Sequence, residues 1–455
     1  MRLTKWRSIA VGLLAAALGP VMADGSVSAA RCASGTSFDA LGEFLAGDDA
    51  AGLGGADYAR AIDLPDGRVL WTFQDAFLTT GSSLVGSSFH HNFGMLQTGA
   101  CFELLGPVAA DGGSWIGGEM ETLLKRWWWP LDAEVGADGY VWVFLAEMYN
   151  PNGTGATAGL LPAGTWVARL RPDDLTVATF EPAPDPSADM YGYSIVSDDA
   201  WTYLYANCYR QFVPGQLLGF DPTCSPFAYL ARVPKGRFDR PLEYRTSDGW
   251  SFDRTTRVPV FHGHTTAGLS VQRYGDTYVN VNDDGEWFGP TIEIWTARQP
   301  QGPWTLAVVA DVPTKCGDDC FHYGAFLLPD RDSGRVGVLL SHNSRIVSAG
   351  ENENAWQYRQ SVLQFDVPGI VLASATLAPP DEPPIAPMPI VLAAVVAGVA
   401  AYGGVAWRVR LGARPRGSPA VHRQDASSRT ERRRMAAGQR EEPDHPAAVA
   451  AERFE

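Results

Sequence analysis

Residues 66–73 (DGRVLWTF) place a tight turn directly before a strand-like run, and this pattern decides the fold. Asp-Gly or Gly-Asp between apolar runs is the strongest short-range signal of a β-hairpin. The same unit recurs four more times, at 138–144 (DGYVWVF), 198–205 (DDAWTYLY), 275–281 (GDTYVNV) and 333–340 (SGRVGVLL). The units recur about every 59 to 76 residues, a spacing typical of repeated blades of sheet.

A further strand is predicted after each unit, over 95–104, 166–170, 227–233, 292–298 and 361–367. Helical periodicity is hard to find anywhere before residue 388. We therefore predict an all-β, five-bladed β-propeller over residues 32–372, with a β-sandwich as the alternative.

Counting residues on either side of the turn in the first unit predicts that two carboxylates lie next to each other. Asp57 and Asp75 each lie nine residues from the turn at Asp66, so they are expected to be cross-strand neighbours. Two adjacent carboxylates repel each other and require a functional reason. The pair is therefore the leading candidate for a catalytic site.

The same reasoning about the other turns pairs Asp132 with Glu147 and Tyr191 with Asn207. Because the inner strands of a propeller surround one channel, polar groups near their ends are expected to converge on its mouth. The candidate substrate-binding residues are Trp129, Asp132, Glu147, Tyr191, Asn207, His264 and His322.

Carboxylates beside aromatic side chains are typical of carbohydrate chemistry. Glycoside cleavage uses two carboxyl groups, and sugar rings stack on flat aromatics. The chain has 15 Trp and 15 Tyr, including the run 127–129 before Asp132. Alternatives stay open, since the tryptophans could be packing residues, Glu147 a solvated loop acid, and the histidines hydrogen-bonded structural groups.

Residues 54–77 (GGADYARAIDLPDGRVLWTFQDAF) resemble the opening blade of a secreted bacterial family of five-bladed propellers whose characterised relatives include endo-D-arabinanases. Weaker similarity extends over roughly residues 36–370. The resemblance implies that Asp57 and Asp75 form the catalytic pair. It also allows a calcium ion in the channel near His264 and His322. No other cofactor and no protein metal site is expected. The chain departs from the family pattern at Ala56, Gln74 and Ala76.

These features together predict a membrane-tethered extracellular glycoside hydrolase acting on an arabinan-like polysaccharide of the cell envelope or the environment. Asp57 is expected to be the base or nucleophile and Asp75 the acid. The alternative is a non-catalytic surface propeller that binds a glycan or a protein partner.

The charge distribution argues against a nucleic-acid partner. Residues 31–407 carry 22 basic and 43 acidic residues, a net charge of −21. Nucleic-acid binding requires a basic face, so no nucleic-acid partner is predicted. No nucleotide-binding or haem motif lies on a suitable strand.

Two apolar segments predict the cellular location. Residues 1–23, basic and then apolar, have the character of a signal peptide. Residues 388–407 are apolar and uncharged, long enough for one transmembrane helix, and follow a Pro-rich tether over 373–387. The disordered, Arg-rich tail over 408–455 predicts a cytoplasmic C-terminus and an outside propeller.

All six cysteines lie between these two segments, which is consistent with disulfides in an exported protein. Spacing favours the local pairs Cys208–Cys224 and Cys316–Cys320, leaving Cys32 to pair with Cys101. Spacing alone does not fix this connectivity, and a zinc site is the competing interpretation.

Overall fold

The fold is given by a computed structural model that describes residues 31–32, 44–45, 52–78, 87–105, 113–118, 120–121, 125–149, 161–207, 227–262, 269–283, 291–312, 314, 320–328, 335–344 and 355–366. All of them belong to the first of the two units into which the chain divides, Met1–Glu382. Within these residues β-strands dominate, with short 3₁₀ turns at Arg254–Thr256 and Ala355–Tyr358.

The described strands form six antiparallel sheets, which we group into blades 1 to 5; blade 1 contains two of the sheets and each later blade contains one. Blade 1 contains β1 (Arg31–Cys32), β2 (Leu53–Ala56), β3 (Arg60–Asp63), β4 (Val69–Phe73), β5 (Ala76–Leu78), β6 (Ser88–His90), β7 (Phe93–Thr98) and β8 (Cys101–Leu105). Blade 2 contains β9 (Arg126–Val135), β10 (Val141–Tyr149), β11 (Leu161–Leu170) and β12 (Val177–Pro182).

The later blades are built in the same way. Blade 3 contains β13 (Ser194–Ser197), β14 (Trp201–Asn207), β15 (Phe227–Pro234), β16 (Glu243–Thr246), β17 (Gly249–Ser251) and β18 (Phe261–His262). Blade 4 contains β19 (Ser270–Tyr274), β20 (Thr277–Asp283), β21 (Thr291–Ala297) and β22 (Thr305–Asp311). Blade 5 contains β23 (Cys320–Leu327), β24 (Arg335–Ser344) and β25 (Ser361–Asp366).

The blades form a closed ring. The first strands of successive blades contact one another, β3 with β9, β9 with β13, β13 with β19 and β19 with β23. Blade 5 returns to blade 1, where the Tyr58 amide donates to Ser341 Oγ at 3.0 Å and Leu339 packs in the same apolar cluster as Trp71. The all-β propeller prediction is confirmed over the described residues.

The turns that signalled the repeat have a common geometry. In blade 1 the Gly67 amide donates to Leu64 O at 3.0 Å, and in blade 2 the Gly139 amide donates to Gly136 O at 2.9 Å. Gly67 and Gly139 have φ values of 86° and 82°, in the left-handed region that glycine adopts without steric cost. The Asp-Gly pairs therefore fix the hairpins as the sequence indicates.

The outer edge of blade 1 differs in detail from the sequence expectation. Residues 95–104 span parts of two strands, β7 and β8, because a tight turn with Gly99 at φ 60° separates them. A disulfide joins Cys32 of β1 to Cys101 of β8, which agrees with the predicted pair. Cys320 is also disulfide-bonded, and its partner lies outside the described residues.

Several sequence predictions fall outside the described residues and stay predictions. They concern the signal peptide over 1–23, the tether over 373–387, the transmembrane helix over 388–407, the tail over 408–455, Cys208, Cys224, Cys316 and His264. Among the residues that are described, none belongs to a helix with the length and apolarity needed to cross a membrane.

Candidate active site

The hairpin of blade 1 brings Asp57 and Asp75 side by side, as the arithmetic about Asp66 predicts. The register pairs Arg60 with Thr72 and Ala56 with Ala76, so the two aspartates face each other. The Asp57 amide donates to Asp75 O at 3.0 Å, and the Asp75 amide donates to Asp57 Oδ1 at 3.1 Å. A backbone hydrogen bond thus fixes one oxygen of the Asp57 carboxyl.

The hairpin is locally interrupted at this point. Tyr58 has a φ of 49°, and its amide bonds to blade 5 instead of to the neighbouring strand. The Gln74 side chain, opposite Tyr58, donates through Nε2 to Pro130 O of blade 2 at 3.1 Å. Gln74 is one of the positions at which the chain departs from the family pattern. Its side chain forms a hydrogen bond between blade 1 and blade 2 beside the aspartates.

Asp57 is buried between blades 1 and 5. Its Oδ2 accepts hydrogen bonds from the hydroxyls of Tyr323 at 2.6 Å and Tyr358 at 2.9 Å. Burial and the nearby charge of Asp75 raise the pKa of Asp57 to about 7, although the hydrogen bonds act in the opposite direction. Asp57 is therefore partly protonated near neutral pH.

A glycine makes this approach of blade 5 possible. A Cβ atom at Gly55 would lie 2.9 Å from Tyr358 Cβ, which is closer than side-chain carbons approach one another. The Gly54-Gly55 pair before the first aspartate thus has a packing reason, since any side chain at Gly55 would displace a tyrosine that binds Asp57.

Asp75 has a different environment, because 20% of its side chain is exposed. Its Oδ1 accepts a hydrogen bond from Trp129 Nε1 at 2.8 Å and contacts His91 Nδ1 at 3.0 Å. Ring nitrogens therefore contact Asp75, whereas tyrosine hydroxyls bind Asp57. The two members of the pair are thus held by different kinds of partner.

Strand β9 supplies an aromatic wall because its side chains alternate between two faces. Trp127 and Trp129 share one face, with ring centroids 6.1 Å apart, and border the aspartates. Trp128 points to the other face and is fully buried in the core between blades 1 and 2. Phe89, 38% exposed, lies beside His91 on the same side as Trp127.

The predicted pairing of Asp132 with Glu147 is wrong. The hairpin of blade 2 is centred on Asp138, not on Gly139, and a bulge between Val143 and Leu145 shifts the register further. Glu147 consequently lies opposite Trp128, on the face away from Asp75. It forms an ion pair with Arg126 and accepts a hydrogen bond from Trp166 Nε1 at 3.0 Å.

Asp132 instead belongs to a buried cluster at the centre of the ring. Its Oδ2 accepts from the Ile195 amide at 2.7 Å, and its charge interacts with Arg60. Arg60 lies 3.5 Å above the Phe326 ring and donates to Tyr193 O at 2.9 Å. These contacts join four blades, so Asp132 stabilises the ring and does not border the aspartate pair.

The predicted pairing of Tyr191 with Asn207 is also wrong. The ladder pairs Ser194 with Tyr205 and then ends, because the amides of Gly192 and Tyr193 both donate to Tyr205 O. Asn207 is hydrogen-bonded to the Tyr193 side chain. Tyr191 packs against Tyr244 with ring centroids 5.3 Å apart, in blade 3.

The histidine predictions have mixed outcomes. His322 lies near the start of β23, as expected, but it is buried and its Nε2 is hydrogen-bonded to Val312 O at 2.9 Å. It does not reach the aspartates. His264 lies outside the described residues. Within the described part of the chain, no group of three or more His, Cys, Asp or Glu side chains could hold a metal ion, and a calcium ion near His264 stays a prediction.

Three residues of the site were not predicted from the sequence, namely Tyr323, Tyr358 and His91. The two tyrosines come from blade 5 and are 266 and 301 residues from Asp57 in the chain. Hairpin arithmetic is local and cannot find such partners. His91 could have been found, because β6 pairs with β5 directly after Asp75.

A separate cleft of about 690 Å³ opens at the turn end of blades 2 and 3. Four of its charged side chains form ion pairs, Asp138 with Arg169 and Arg237 with Asp239. Trp142 and Phe238 in its lining are buried. The cleft does not include the aspartate pair, so we place the candidate active site at Asp57 and Asp75.

Solved structures with similar folds include a provisionally assigned hydrolase from Bacteroides ovatus ATCC 8483, 17% identical, covering 71% of this chain and 88% of that chain at a TM-score of 0.56. A GH43_1 enzyme from Xanthomonas citri complexed with xylose is 16% identical. The match covers 77% of this chain and 99% of that chain at a TM-score of 0.41. A GH43 β-xylosidase/α-arabinofuranosidase from a compost microbial metagenome is 12% identical. The match covers 69% of this chain and 91% of that chain at a TM-score of 0.37.

At such identities a likeness establishes the fold alone, and here it does so through the Bacteroides ovatus structure. No curated protein matches the chain. A family model described as a domain of unknown function, DUF5005, matches residues 44–362, which is most of the chain. The chain therefore belongs to the DUF5005 family.

Proposed function

We propose that this protein is a glycoside hydrolase whose reaction uses Asp57 and Asp75. The observation that carries the proposal is the placement of two adjacent carboxyl groups in unlike environments beside an aromatic wall. Such a difference separates the protonation states of the pair, which is what an acid and a base or nucleophile need. The exposed Phe89 and the half-buried Trp127, whose ring stacks against His91, supply apolar surface on which a sugar ring can stack.

The environments favour a definite order of roles. Asp57, whose pKa is raised to about 7, retains a proton near neutral pH and is the proposed acid that protonates the leaving glycosidic oxygen. Asp75, with indole and imidazole partners, is the proposed carboxylate that attacks the anomeric carbon or activates water. This reverses the order expected from the sequence, because burial of Asp57 was not visible there.

The proposed substrate is an arabinan-like polysaccharide of the cell envelope or the environment. Support comes from the resemblance of residues 54–77 to the arabinanase-related propellers, in which Asp57 and Asp75 match the positions of the two aspartates of that family. We also propose that a helix over 388–407 anchors the chain in the membrane, with the propeller outside the cell and the tail over 408–455 in the cytoplasm.

The test is hydrolysis by the full-length protein. Arabinan, arabinoxylan and xylan are each incubated with the wild type, Asp57→Asn and Asp75→Asn, and new reducing ends are measured. We expect the wild type to cleave at least one polymer and each Asn variant to lose about 10²- to 10⁴-fold in rate, as removal of a general acid or a nucleophile does.

The matched control is Asp248→Asn, an exposed aspartate in the β16–β17 hairpin, which should keep wild-type activity. Circular dichroism confirms that each variant is folded. A folded Asp57→Asn or Asp75→Asn protein with full activity would refute the assignment. Binding of a polymer without new reducing ends would instead support the non-catalytic surface propeller.

A further inference from the structure

His91 occupies a defined position between the aspartate pair and the aromatic wall. Its Nδ1 lies 3.0 Å from Asp75 Oδ1. Its ring stacks on Trp127 with centroids 4.6 Å apart and planes inclined by 18°, and Phe89 meets it edge-on at 4.9 Å. The imidazole is thus oriented by two aromatic rings and has little freedom to turn away from Asp75.

A second carboxylate lies behind the imidazole. Ser114 Oγ accepts a hydrogen bond from the His91 amide at 3.2 Å and itself donates to Glu121 Oε1. Glu121 also interacts electrostatically with both His91 and Asp75. His91 is therefore flanked by two acidic groups, a setting that favours its protonated form.

The hydrogen bonds to the Asp75 side chain involve one of its two carboxylate oxygens. Both described donors to this carboxylate, His91 and Trp129, bind Oδ1. Among the described residues no side chain or amide donates to Oδ2. Two donors on one oxygen fix the plane of the carboxylate and leave the other oxygen for a substrate or a water molecule.

We infer that His91 is a positioning residue of this site, which holds Asp75 through Nδ1 as an imidazolium so that Oδ2 faces the reacting centre. The inference rests on the proposed function. His91 acts together with Trp129, which orients the carboxylate, while His91 adds a positive charge next to it. Glu121 keeps the imidazolium charged, and Trp127 keeps its plane fixed.

The electrostatic setting agrees with this role. Burial lowers the pKa of His91, but the hydrogen bond and charge of Asp75, together with the charge of Glu121, outweigh burial and raise it overall. Burial raises the pKa of Glu121, which the Ser114 hydrogen bond and His91 oppose. The protonation of His91 and that of Glu121 therefore depend on each other.

The first experiment does not depend on activity. Full-length protein with ¹³C-labelled histidine is titrated by NMR without ligand, and the His91 signal is assigned from its absence in His91→Gln. We expect His91 to titrate above the ordinary value of about 6.5 and to titrate lower in Asp75→Asn and in Glu121→Gln. Glu181 is an exposed acid of β12, and Glu181→Gln is the matched control. This substitution should not change the pKa at which His91 titrates.

The second experiment measures the rate on whichever polymer the wild type cleaves. His91→Ala should lower kcat about 10- to 100-fold with little change in KM, as loss of an orienting partner does in other sites. His91→Asn, whose side-chain amide nitrogen lies close to the position of the imidazole Nδ1, should recover part of that rate. His262→Gln, on the exposed part of blade 3, is the control and should match the wild type.

A His91 that titrates at or below about 6.5 and ignores Asp75→Asn would overturn the inference, and so would a folded His91→Ala protein with wild-type kcat. Absence of hydrolysis by the wild type on every polymer tested would refute the proposed function instead. In that case the NMR titration alone decides whether His91 holds Asp75 as an imidazolium.

Discussion

Two residues of the same type, paired on one hairpin, have different properties because their surroundings differ. Asp57 is buried and accepts hydrogen bonds from Tyr323, Tyr358 and the Asp75 amide. Asp75 is partly exposed and is bound by indole and imidazole groups. The adjacency of the pair was predictable, since hairpin symmetry is a local property of the chain. Which aspartate holds the proton was not, because the burial that raises the pKa of Asp57 comes partly from blade 5, more than 260 residues away in the chain.

The two tyrosines that bind Asp57 give a first prediction at this scale. Tyr323→Phe or Tyr358→Phe removes a donor that stabilises the charged form, so the pKa of Asp57 should rise further. If Asp57 is the acid, the alkaline limb of the pH–rate profile should then move to higher pH. Rates measured between pH 4 and 9 test this, with the exposed Asp248→Asn variant as the reference. An unchanged or lowered alkaline limb would contradict it.

Asp57 also predicts a pH dependence of stability. Its pKa is higher in the folded chain, about 7, than the ordinary 3.8, so the folded state binds the proton more tightly. Its contribution to the free energy of unfolding is therefore fully present below about pH 4 and is lost as pH rises towards 7. Urea unfolding of the wild type and Asp57→Asn across this range should show the wild type losing stability relative to the variant. A difference that does not vary with pH would be inconsistent with this burial.

At the scale of the strand, alternation and register decide what each residue does. Three consecutive tryptophans in β9 divide between the site and the core, since neighbouring side chains point to opposite faces. The strands and turns were predictable from their pattern. The pairings of Asp132 and Glu147 were not, because a bulge moved the register and a small slip redirects each side chain. Counting residues from the turn thus predicted the correct pairing where the strand register has no net shift, as between Ala56 and Arg60. It failed in blade 2, where the register is shifted.

The division of roles along β9 can be tested by two substitutions. Trp128→Ala empties a fully buried site between blades 1 and 2 and should lower the free energy of unfolding by about 3–5 kcal/mol. Trp127→Ala, at a half-buried side chain, should lower the free energy of unfolding by less than Trp128→Ala and weaken polysaccharide binding about 2- to 10-fold, from loss of roughly 0.5–1.5 kcal/mol of stacking. Urea unfolding and affinity electrophoresis in polymer-containing gels measure the two effects. The opposite outcome, a large loss of stability for Trp127→Ala only, would reverse the assignment of the faces.

At the scale of the molecule, a ring of five blades places residues from distant parts of the chain around one site. The centre of the ring is held by Arg60 between Asp132 and Phe326, and the site lies where blades 1, 2 and 5 meet. The repeat in the sequence was sufficient to predict this architecture. It could not predict the contacts between blades, because those depend on how the ring closes.

The proposed topology of the whole chain gives a last prediction. The apolar segment over 388–407 separates an acidic body from an Arg-rich tail, so residues 24–382 should be outside the cell and 408–455 inside. Protease treatment of intact cells, followed by detection with antibodies to each part, measures this. We expect loss of the body and protection of the tail. Cleavage of the tail with an intact body would show the reverse orientation.

The tyrosines at Asp57 come from the last blade, and this has a consequence for biosynthesis. A nascent chain that has emerged only as far as blade 4 contains Asp57, Asp75 and His91 but neither Tyr323 nor Tyr358. The first carboxyl group then lacks two of its three described hydrogen bonds, and the ring that buries it is open. Under the proposed function, hydrolysis at this pair should therefore begin only after the final blade has been synthesised and has closed the ring, and a chain that ends after blade 4 should be inactive.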